Sequence, residues 1–270
     1  MKTSIVNSLP VPLVNTLRNV RDGLQVASGY PESRLHPWRQ DSIRKLNALK
    51  DTHLGERCFI IGNGPSLKNT DLSKLKNEFT FGMNRFYLAF PNLGFKTSLL
   101  LTVNDLVTEQ CAQDIRALPI PTFISWRGRK WIQPEPNLHY LYTTYQLPRF
   151  CTDASGRLWE GATVTYVAMQ LAFHMGFKQA VLIGVDHNFT TQGKPNTTVV
   201  SGGDDPNHFN PAYFGKGFRW QLPDLETSEI AYTMAREAYH SAGREIIDAT
   251  VGGKLTVFTK ANYEGLFYYV

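Results

Sequence analysis

A loop with two glycines follows the first apolar segment of the chain and is the first candidate for ligand binding. Residues 58–61 predict a buried strand, and Gly62-Asn63-Gly64-Pro65-Ser66 comes directly after it. Such glycines let backbone N–H groups approach a phosphate or ribose, and a helix beginning at Pro65 would favour an anion. Leu67 stands where the dinucleotide fingerprint needs a third glycine, and no Gly-Lys-Ser/Thr follows. The motif is therefore compatible with a nucleotide site and with an ordinary strand–helix turn.

Polar residues also follow the other predicted strands. Ligands of open α/β sheets bind beyond the carboxyl ends of the strands, so these positions are the ones that can carry chemistry. They are Asn84-Arg85, Asn104-Asp105, Ser125-Trp126-Arg127, Gly184-Val185-Asp186-His187-Asn188 and Ala249-Thr250. Several independent strand ends with hydrogen-bonding side chains predict a site for a polar ligand.

Histidines near these strand ends are candidates for a general base, because histidine exchanges a proton near neutral pH. His208 lies among turn-forming residues and aromatics, where it either removes a proton from an acceptor or packs on Phe209. His187 follows Asp186 at a strand end, and both roles stay open there as well. His174 lies on an apolar helix and is expected in the core.

Two further clusters have both a chemical and a structural interpretation. Asp204-Asp205 is either a Mg²⁺ ligand pair or a solvated turn, and no metal site is expected from the sequence. Trp126-Arg127-Gly128-Arg129-Lys130-Trp131 combines three cations with two indoles. This segment is either a phosphate or sugar clamp or an exposed basic turn.

The elements that must position these residues alternate between strands and helices. Strands are predicted at 58–61, 79–82, 99–103, 121–126, 180–183 and 245–248, and helices at 107–118, 163–175 and 226–242, with a loosely periodic one over 38–54. This order predicts an α/β fold, Rossmann-like and doubly wound, with a mainly parallel sheet. Residues 190–225 predict a long irregular loop that acts as a lid or binding segment. Residues 1–54 are expected as an N-terminal extension (1–35) and helix, and 55–270 as the Rossmann-like domain.

Composition narrows the class of protein. The 270 residues include 28 Lys and Arg against 23 Asp and Glu, and 42% are hydrophobic. This argues against disorder and coiled coils, and the net charge of +5 fits an anionic ligand without implying nucleic acid. Three scattered cysteines and the lack of a signal peptide or membrane span predict a cytoplasmic protein in a reducing compartment.

Two motifs resemble known transferases. Ile60-Ile61-Gly62-Asn63-Gly64-Pro65-Ser66-Leu67, followed by Met83-Asn84-Arg85-Phe86-Tyr87, resembles the bacterial sialyltransferases that cap lipooligosaccharides. It is also similar to the domain shared by motility accessory factor (flagellin-modifying) glycosyltransferases and the archaeal 6-hydroxymethylpterin diphosphokinase. The likeness continues through Gly161-Ala162-Thr163 to Asp248-Ala249-Thr250 and covers roughly residues 55 to 265.

The resemblance implies a Rossmann-like glycosyltransferase and assigns roles to residues of this chain. It places a nucleotide-activated donor, CMP-sialic acid in the sialyltransferases, against Asn63, the loop amides, Asn84 and Ala162-Thr163. It implies a His base in the loop after the Gly-Val-Asp strand, where His208 is the nearest match and His187 is the rival. The sialyltransferases have a tyrosine just after the Asp where this chain has His187-Asn188, so Tyr213, Lys216 and Arg219 are the substitutes expected at the leaving phosphate. The full donor-binding set is Gly62, Asn63, Gly64, Pro65, Ser66, Asn84, Arg85, Asn104, Thr163 and Asp186.

The expected reaction is a single displacement in which the His deprotonates a hydroxyl of a cell-surface glycan or protein acceptor. No cofactor beyond the nucleotide-sugar donor is expected, and nucleic acid is not expected as a partner. Contact with a membrane is expected only peripherally, through the acceptor. Six cations are expected around one cleft: Arg85, Arg127, Arg129, Lys130, Lys216 and Arg219. Two alternatives remain: an ATP- and Mg²⁺-dependent diphosphokinase using Asp105, Asp186, Asp204 and Asp205, and a non-catalytic nucleotide-binding module.

Overall fold

Nine parallel strands form the central sheet of the protein. The structure, a computed structural model, describes residues 11–191 and 193–267. The sheet strands are β1 (Arg57–Ile61), β2 (Phe79–Met83), β3 (Leu99–Thr102), β4 (Thr122–Ser125), β5 (Leu138–Thr144), β6 (Arg157–Trp159), β7 (Gln179–Ile183), β10 (Glu245–Asp248) and β11 (Thr259–Lys260). Their order is β11-β10-β7-β1-β2-β3-β4-β5-β6, and every pairing within it is parallel.

This order fixes where a ligand can bind. The chain runs outward from β1 to β6 and then returns to place β7 on the other side of β1. The connections therefore diverge between β1 and β7, which is the topological switch point where doubly wound sheets open a crevice. The expected α/β, Rossmann-like architecture is confirmed.

Helices cover the sheet and bury its apolar strands. They are α1 (Val11–Leu35), α2 (Pro37–Leu49), α3 (Phe90–Leu93), α4 (Asp105–Gln110), α5 (Ala112–Arg116), α6 (Val164–Met175) and α7 (Leu225–Ser241). Helix α6 is buried from Thr165 to Met175, as its apolar residues on every side predict. His174 lies in this core with its Nε2 2.8 Å from the Leu46 carbonyl oxygen, which confirms the expectation for it.

Several elements differ from the sequence-based expectation. The N-terminal segment expected only as an extension is helical in α1, while residues 1–10 lie outside the described part. Strands β5 and β6 were not predicted, and the helix expected over 107–118 is divided into α4 and α5 at Cys111. The loop 190–225 contains a small antiparallel pair, β8 (Thr198–Val200) and β9 (Arg219–Gln221), so it is not wholly irregular.

No helix among residues 11–191 and 193–267 combines the length and the apolar character that crossing a bilayer requires.

Candidate functional site

A cleft opens at the carboxyl ends of β1 and β7, at the switch point of the sheet. Its inner part, about 160 Å³, is lined by most of the predicted site residues: Gly62, Asn63, Gly64, Asn84, Thr163, Asp186, His187, His208 and Tyr213. A larger adjoining cavity of about 580 Å³ shares Asn84, Thr163 and His208 and adds Asn104. Pro65, Ser66 and Arg85 line neither part.

The glycines of the β1 loop serve close packing against the β7 loop. The Gly62 N–H donates to Ile183 O at 2.7 Å, and the Gly64 N–H donates to Gly184 O at 2.9 Å. A Cβ on Gly62 would lie 2.2 Å from Gly184 O. Because both amides are engaged within the protein, they do not form the phosphate cradle that we expected from the sequence.

Asp186 joins the same two loops instead of presenting free oxygens to a ligand. Its Oδ1 accepts the Ser66 N–H at 3.0 Å, and its Oδ2 accepts the Ser66 hydroxyl at 2.7 Å. A Cβ on Gly64 would lie only 1.8 Å from Asp186 Oδ2. The residues from Pro65 to Asn69 form a single 3₁₀ turn rather than the expected helix. The direct donor contacts expected of Pro65 and Ser66 are therefore corrected to a structural role.

Asn63 holds a buried acceptor at the inner part of the cleft. Its side-chain amide donates to Met83 O at 3.1 Å, whereas its Oδ1 is buried and has no hydrogen-bond partner in the described chain. Such an atom normally finds a donor, because a buried unpaired acceptor costs about 1–3 kcal/mol. A ligand hydroxyl or N–H bound in the cleft would satisfy it.

Asn84 is held in a left-handed conformation at the end of β2. Its φ is 50°, its N–H donates to Leu101 O, and its Oδ1 accepts the Thr102 hydroxyl at 3.0 Å. Asparagine tolerates this backbone region better than most residues, which explains its presence here apart from any ligand. It nevertheless lines both parts of the cleft.

The N-terminus of α6 lies at the inner part of the cleft. Gly161 and Ala162 both have positive φ, 55° and 59°, and turn the chain into the helix. Thr163 caps it by accepting the Thr165 N–H at 3.2 Å, and residues 162–165 all line the inner part of the cleft. Unpaired N–H groups and the helix dipole favour negative charge at such an end.

His208 and Asp205 form a hydrogen-bonded pair in the loop that covers the cleft. The His208 Nδ1 lies 2.7 Å from Oδ2 of Asp205, whose side chain is only 4% exposed. Oδ1 of Asp205 accepts the Asn207 N–H at 2.9 Å, so the carboxylate is fixed on both sides. Nε2 of His208 has no partner among the residues that the structure describes. The pairing of Asp205 with His208 was not predicted, because the sequence pattern indicated only a Mg²⁺ ligand pair or a solvated turn at Asp204-Asp205.

Tyr213 packs beneath His208, and its side chain is not exposed for contact with a leaving phosphate. The two rings stack with centroids 4.0 Å apart and 10° between their planes, and Tyr213 is fully buried. Burial raises the pKa of its phenol, so the hydroxyl stays protonated. The Arg85 N–H donates to that hydroxyl oxygen at 3.4 Å. We therefore correct its expected role to orienting the His208 ring.

His187 has a partner of its own on α7. Its Nε2 lies 2.8 Å from Oε1 of Glu229, and its backbone φ is 53°. The ring lines the inner part of the cleft on the β7 side. Because Glu229 is exposed while Asp205 is buried, the carboxylate that orients His208 is the better fixed of the two.

Four of the six cations expected around the cleft bind other groups of the protein. The guanidinium of Arg85 donates to the carbonyl oxygens of Ala212 and Tyr213 and so ties β2 to the covering loop. Carboxylates pair with Arg127 (Asp105 and Glu160), Arg129 (Glu32) and Arg219 (Glu109). No Lys or Arg of the described chain lines either part of the cleft. The expectation of a cleft surrounded by positive charge is wrong.

Five aromatic side chains line the larger cavity beside a greater number of polar residues. Tyr145, Trp159, Phe189, Phe214 and Trp220 line it together with carbonyl and amide groups. Its Glu160 is buried, which raises the pKa of the carboxyl, while Arg127 at 2.7 Å opposes that rise. Asn104 at the rim caps α4 by accepting the Leu106 and Val107 N–H groups.

The basic segment between the two indoles, residues 126–131, lies outside both parts of the cleft. Trp126 is buried, and the guanidinium carbon of Arg129 lies 4.4 Å from the centroid of its ring. Neither residue lines the cleft.

The fold and the cleft define a Rossmann-like protein with a polar ligand site at its topological switch point. A family model described as 6-hydroxymethylpterin diphosphokinase MptE-like matches residues 35–192, more than half of the chain. The chain therefore belongs to this MptE-like family of transferase-type enzymes. No curated protein matches the chain significantly. Asp205 and His208 lie beyond the matched residues.

Proposed function

We propose that the protein is a glycosyltransferase that uses a nucleotide-activated sugar, with His208 as the general base. The observation that carries the proposal is the buried Asp205 carboxylate 2.7 Å from Nδ1 of His208. A carboxylate at Nδ1 fixes the ring and its tautomer and leaves Nε2 to take a proton, as in other histidine bases. The ring lines both parts of the cleft, so Nε2 is available to a bound acceptor.

The reaction that fits this arrangement is one displacement. Nε2 of His208 takes the proton of the acceptor hydroxyl while the oxygen forms a bond to the anomeric carbon. The bond from that carbon to the phosphate oxygen breaks, and the nucleotide leaves with the electron pair. The N-terminus of α6 would stabilise the charge that develops on the leaving phosphate.

The donor would span both parts of the cleft. The unpaired Oδ1 of Asn63 would accept a hydrogen bond from a hydroxyl or N–H of the nucleotide. The aromatic lining of the larger cavity suits the apolar face of a sugar or base. A CMP-linked nonulosonic acid remains the donor class that we propose from the sequence resemblance, although the lining offers no cation for its carboxylate.

The family description favours a second candidate, transfer of diphosphate from ATP to a pterin hydroxyl. That chemistry normally requires Mg²⁺. Each carboxylate that lines the cleft is already hydrogen-bonded within the protein, Asp186 to Ser66, Glu160 to Arg127, and Asp224 to Asn196 and Thr227, so these groups do not fit a metal site built by the protein alone. The described residues also contain no group of three or more metal-ligating side chains. We therefore derive no step through a metal.

A nucleotide panel separates the candidates. Thermal unfolding would be measured with CMP, UDP, GDP and ATP, each with and without Mg²⁺. Stabilisation by a sugar-carrier nucleotide without Mg²⁺ is expected, and stabilisation by CMP alone would favour a nonulosonic acid donor. Stabilisation only by ATP with Mg²⁺ would favour the diphosphokinase. If no nucleotide changes the unfolding temperature, the transferase proposal is wrong and a non-catalytic module takes its place.

A further inference from the structure

Four arginines gather at the β6 edge of the sheet, away from the cleft. Arg34 is in the last turn of α1, Arg39 is in α2, Arg149 is in the loop between β5 and β6, and Arg157 opens β6. Arg34 and Arg149 line a surface depression of about 350 Å³ together with residues 150–153, 155 and 156. None of its lining residues belongs to the cleft.

None of these four guanidinium groups forms an ion pair with a carboxylate in the described chain. Of the other arginines in the described chain, eight each have an acidic partner: Arg21, Arg44, Arg57, Arg116, Arg127, Arg129, Arg219 and Arg244. Arg18, Arg85 and Arg236 form no ion pair there either, so the β6 edge holds four of the described arginines that have no acidic partner.

The backbone holds two of the four rigidly behind the depression. Arg39 is fully buried and donates to Tyr140 O at 3.1 Å and to Ser155 O at 2.7 Å. Arg157 is half-buried and donates to the Thr144 hydroxyl and to the carbonyl oxygens of residues 146 and 147. Both positive charges are thus fixed beneath the surface, where solvent screens them less.

The other two keep free donors at the surface. Arg149 uses only Nη2, toward Arg157 O at 3.0 Å and Cys151 Sγ at 3.2 Å, and its Nε and Nη1 have no partner in the described chain. The guanidinium of Arg34 contacts only the ring of Tyr30, 5.7 Å from its centroid. Guanidinium groups with free N–H donors bind oxyanions in geometries that a lysine cannot match.

Burial and neighbouring positive charges lower the pKa of two of these four arginines. Burial, and after it the charge of Arg34, lowers the pKa of Arg39 to about 10. Burial, and after it Arg149, lowers the pKa of Arg157 as well. An anion in the depression would relieve this repulsion. One carboxylate, Asp153, is at the rim, but its Oδ1 accepts the Ser155 N–H and lies 3.6 Å from His174 Nδ1 rather than pairing with an arginine.

We propose that the depression bounded by Arg34 and Arg149 is a second binding site, for an oxyanion such as a phosphate or carboxylate group. The ligand is either free phosphate or an acidic group carried by a sugar. The site does not depend on the function proposed for the cleft, because the two share no lining residue.

The test is titration of the full chain with inorganic phosphate at low ionic strength, followed by calorimetry. Saturable binding by the wild type is expected, and Arg34→Gln and Arg149→Gln should each weaken it by about tenfold or more, since each removes a charge-assisted hydrogen bond. Arg236→Gln is the matched control, because Arg236 is exposed and its one hydrogen bond in the described chain is to Val257 O. Thr163→Ala, at the N-terminus of α6, controls for phosphate binding in the cleft.

The outcomes are distinct. Loss of binding in the Arg34 and Arg149 variants, with retention in both controls, supports the site. A wild type that shows no saturable binding, or a loss in Thr163→Ala with retention in Arg149→Gln, overturns it. Asp153→Asn should tighten binding by removing a negative charge at the rim, and a weakening there would contradict an anion site.

Glucose 6-phosphate identifies the source of the ligand. Tighter binding of glucose 6-phosphate than of inorganic phosphate indicates a sugar-linked group, and its exclusion indicates free phosphate.

Discussion

Asp205 Oδ2 lies 2.7 Å from Nδ1 of His208, three residues further along the same loop. The carboxylate is buried and held from its other oxygen by the Asn207 N–H, so the pair is built before any ligand binds. These hydrogen bonds hold the His208 ring in one orientation at the cleft.

The first prediction concerns this carboxylate. Asp205→Asn should lower turnover by about 100-fold or more, because the amide no longer fixes the tautomer that leaves Nε2 free. The control is Asp204→Asn, since Asp204 is exposed and has no hydrogen bond in the described chain. The measurement is kcat for both variants with the donor that the nucleotide panel identifies. Equal losses in the two would contradict an orienting role for Asp205.

The second prediction separates the ring of Tyr213 from its hydroxyl. Tyr213→Phe keeps the stack on His208 and removes only the acceptor of the Arg85 N–H, so we expect a loss of about 1 kcal/mol in stability and near-normal turnover. Tyr213→Ala removes a fully buried ring and should cost about 3–5 kcal/mol. Denaturant unfolding and kcat measure both effects. A severe loss of kcat with unchanged stability in Tyr213→Phe would show that the hydroxyl takes part in the chemistry.

The third prediction tests the close approach of the β1 and β7 loops. Gly64→Ala would place a Cβ 1.8 Å from Asp186 Oδ2 and should break the two hydrogen bonds to Ser66, with a loss of about 1–3 kcal/mol. Gly203→Ala is the matched control, because a Cβ there meets nothing within 4 Å. The free energies of unfolding give the comparison, and similar values for the two variants would rule out the steric explanation.

The fourth prediction is an acid-dependent loss of stability that originates at His139. Burial, and after it Lys45, lowers the pKa of this residue from its ordinary 6.5 to about 4, and its buried Nδ1 has no partner in the described chain. Between pH 6.5 and pH 4, His139 therefore binds a proton in the unfolded chain but not in the folded protein. The free energy of unfolding falls as the pH decreases through this range.

His139→Phe should reduce that pH dependence while keeping the stack on Phe123, whose ring centroid is 4.5 Å away. Unfolding temperatures at about pH 8 and about pH 5 should differ less in this variant than in the wild type. Parallel curves for the two proteins would assign the acid sensitivity to other groups.

Sequence reasoning predicted the fold because its signals are local. Apolar segments such as residues 58–61 and 180–183 are read within a few positions, and their alternation with helices implies a parallel sheet. Strand β5 was missed because its segment, Leu138–Thr144, mixes His and Tyr with Leu, and β6 is only three residues long. Helix α1 was missed because its periodicity is weak and Pro31 lies inside it.

The site was predicted in location but less well in detail. Asn63 and Asn84 lie at the cleft, as the rule of strand ends predicts. Thr163 and His208 lie there as well, which the resemblance to the transferases implied. The partners of the remaining residues depend on distant contacts that no local pattern reveals. Asp186 and Ser66 form a hydrogen bond although they are 120 residues apart in the sequence. Arg85 donates to the backbone of Tyr213, which is 128 residues away. A positive charge at a strand end therefore did not imply a positive charge in the cleft.

The assignment of the base to His208 rather than His187 can be tested directly. The measurement compares kcat of His208→Gln and His187→Gln on the identified donor, with nucleotide binding measured alongside by calorimetry. We expect His208→Gln to lose about 10²–10⁴-fold in kcat with nucleotide binding retained, and His187→Gln to lose far less. Full turnover in His208→Gln, together with a collapse in His187→Gln, would contradict it.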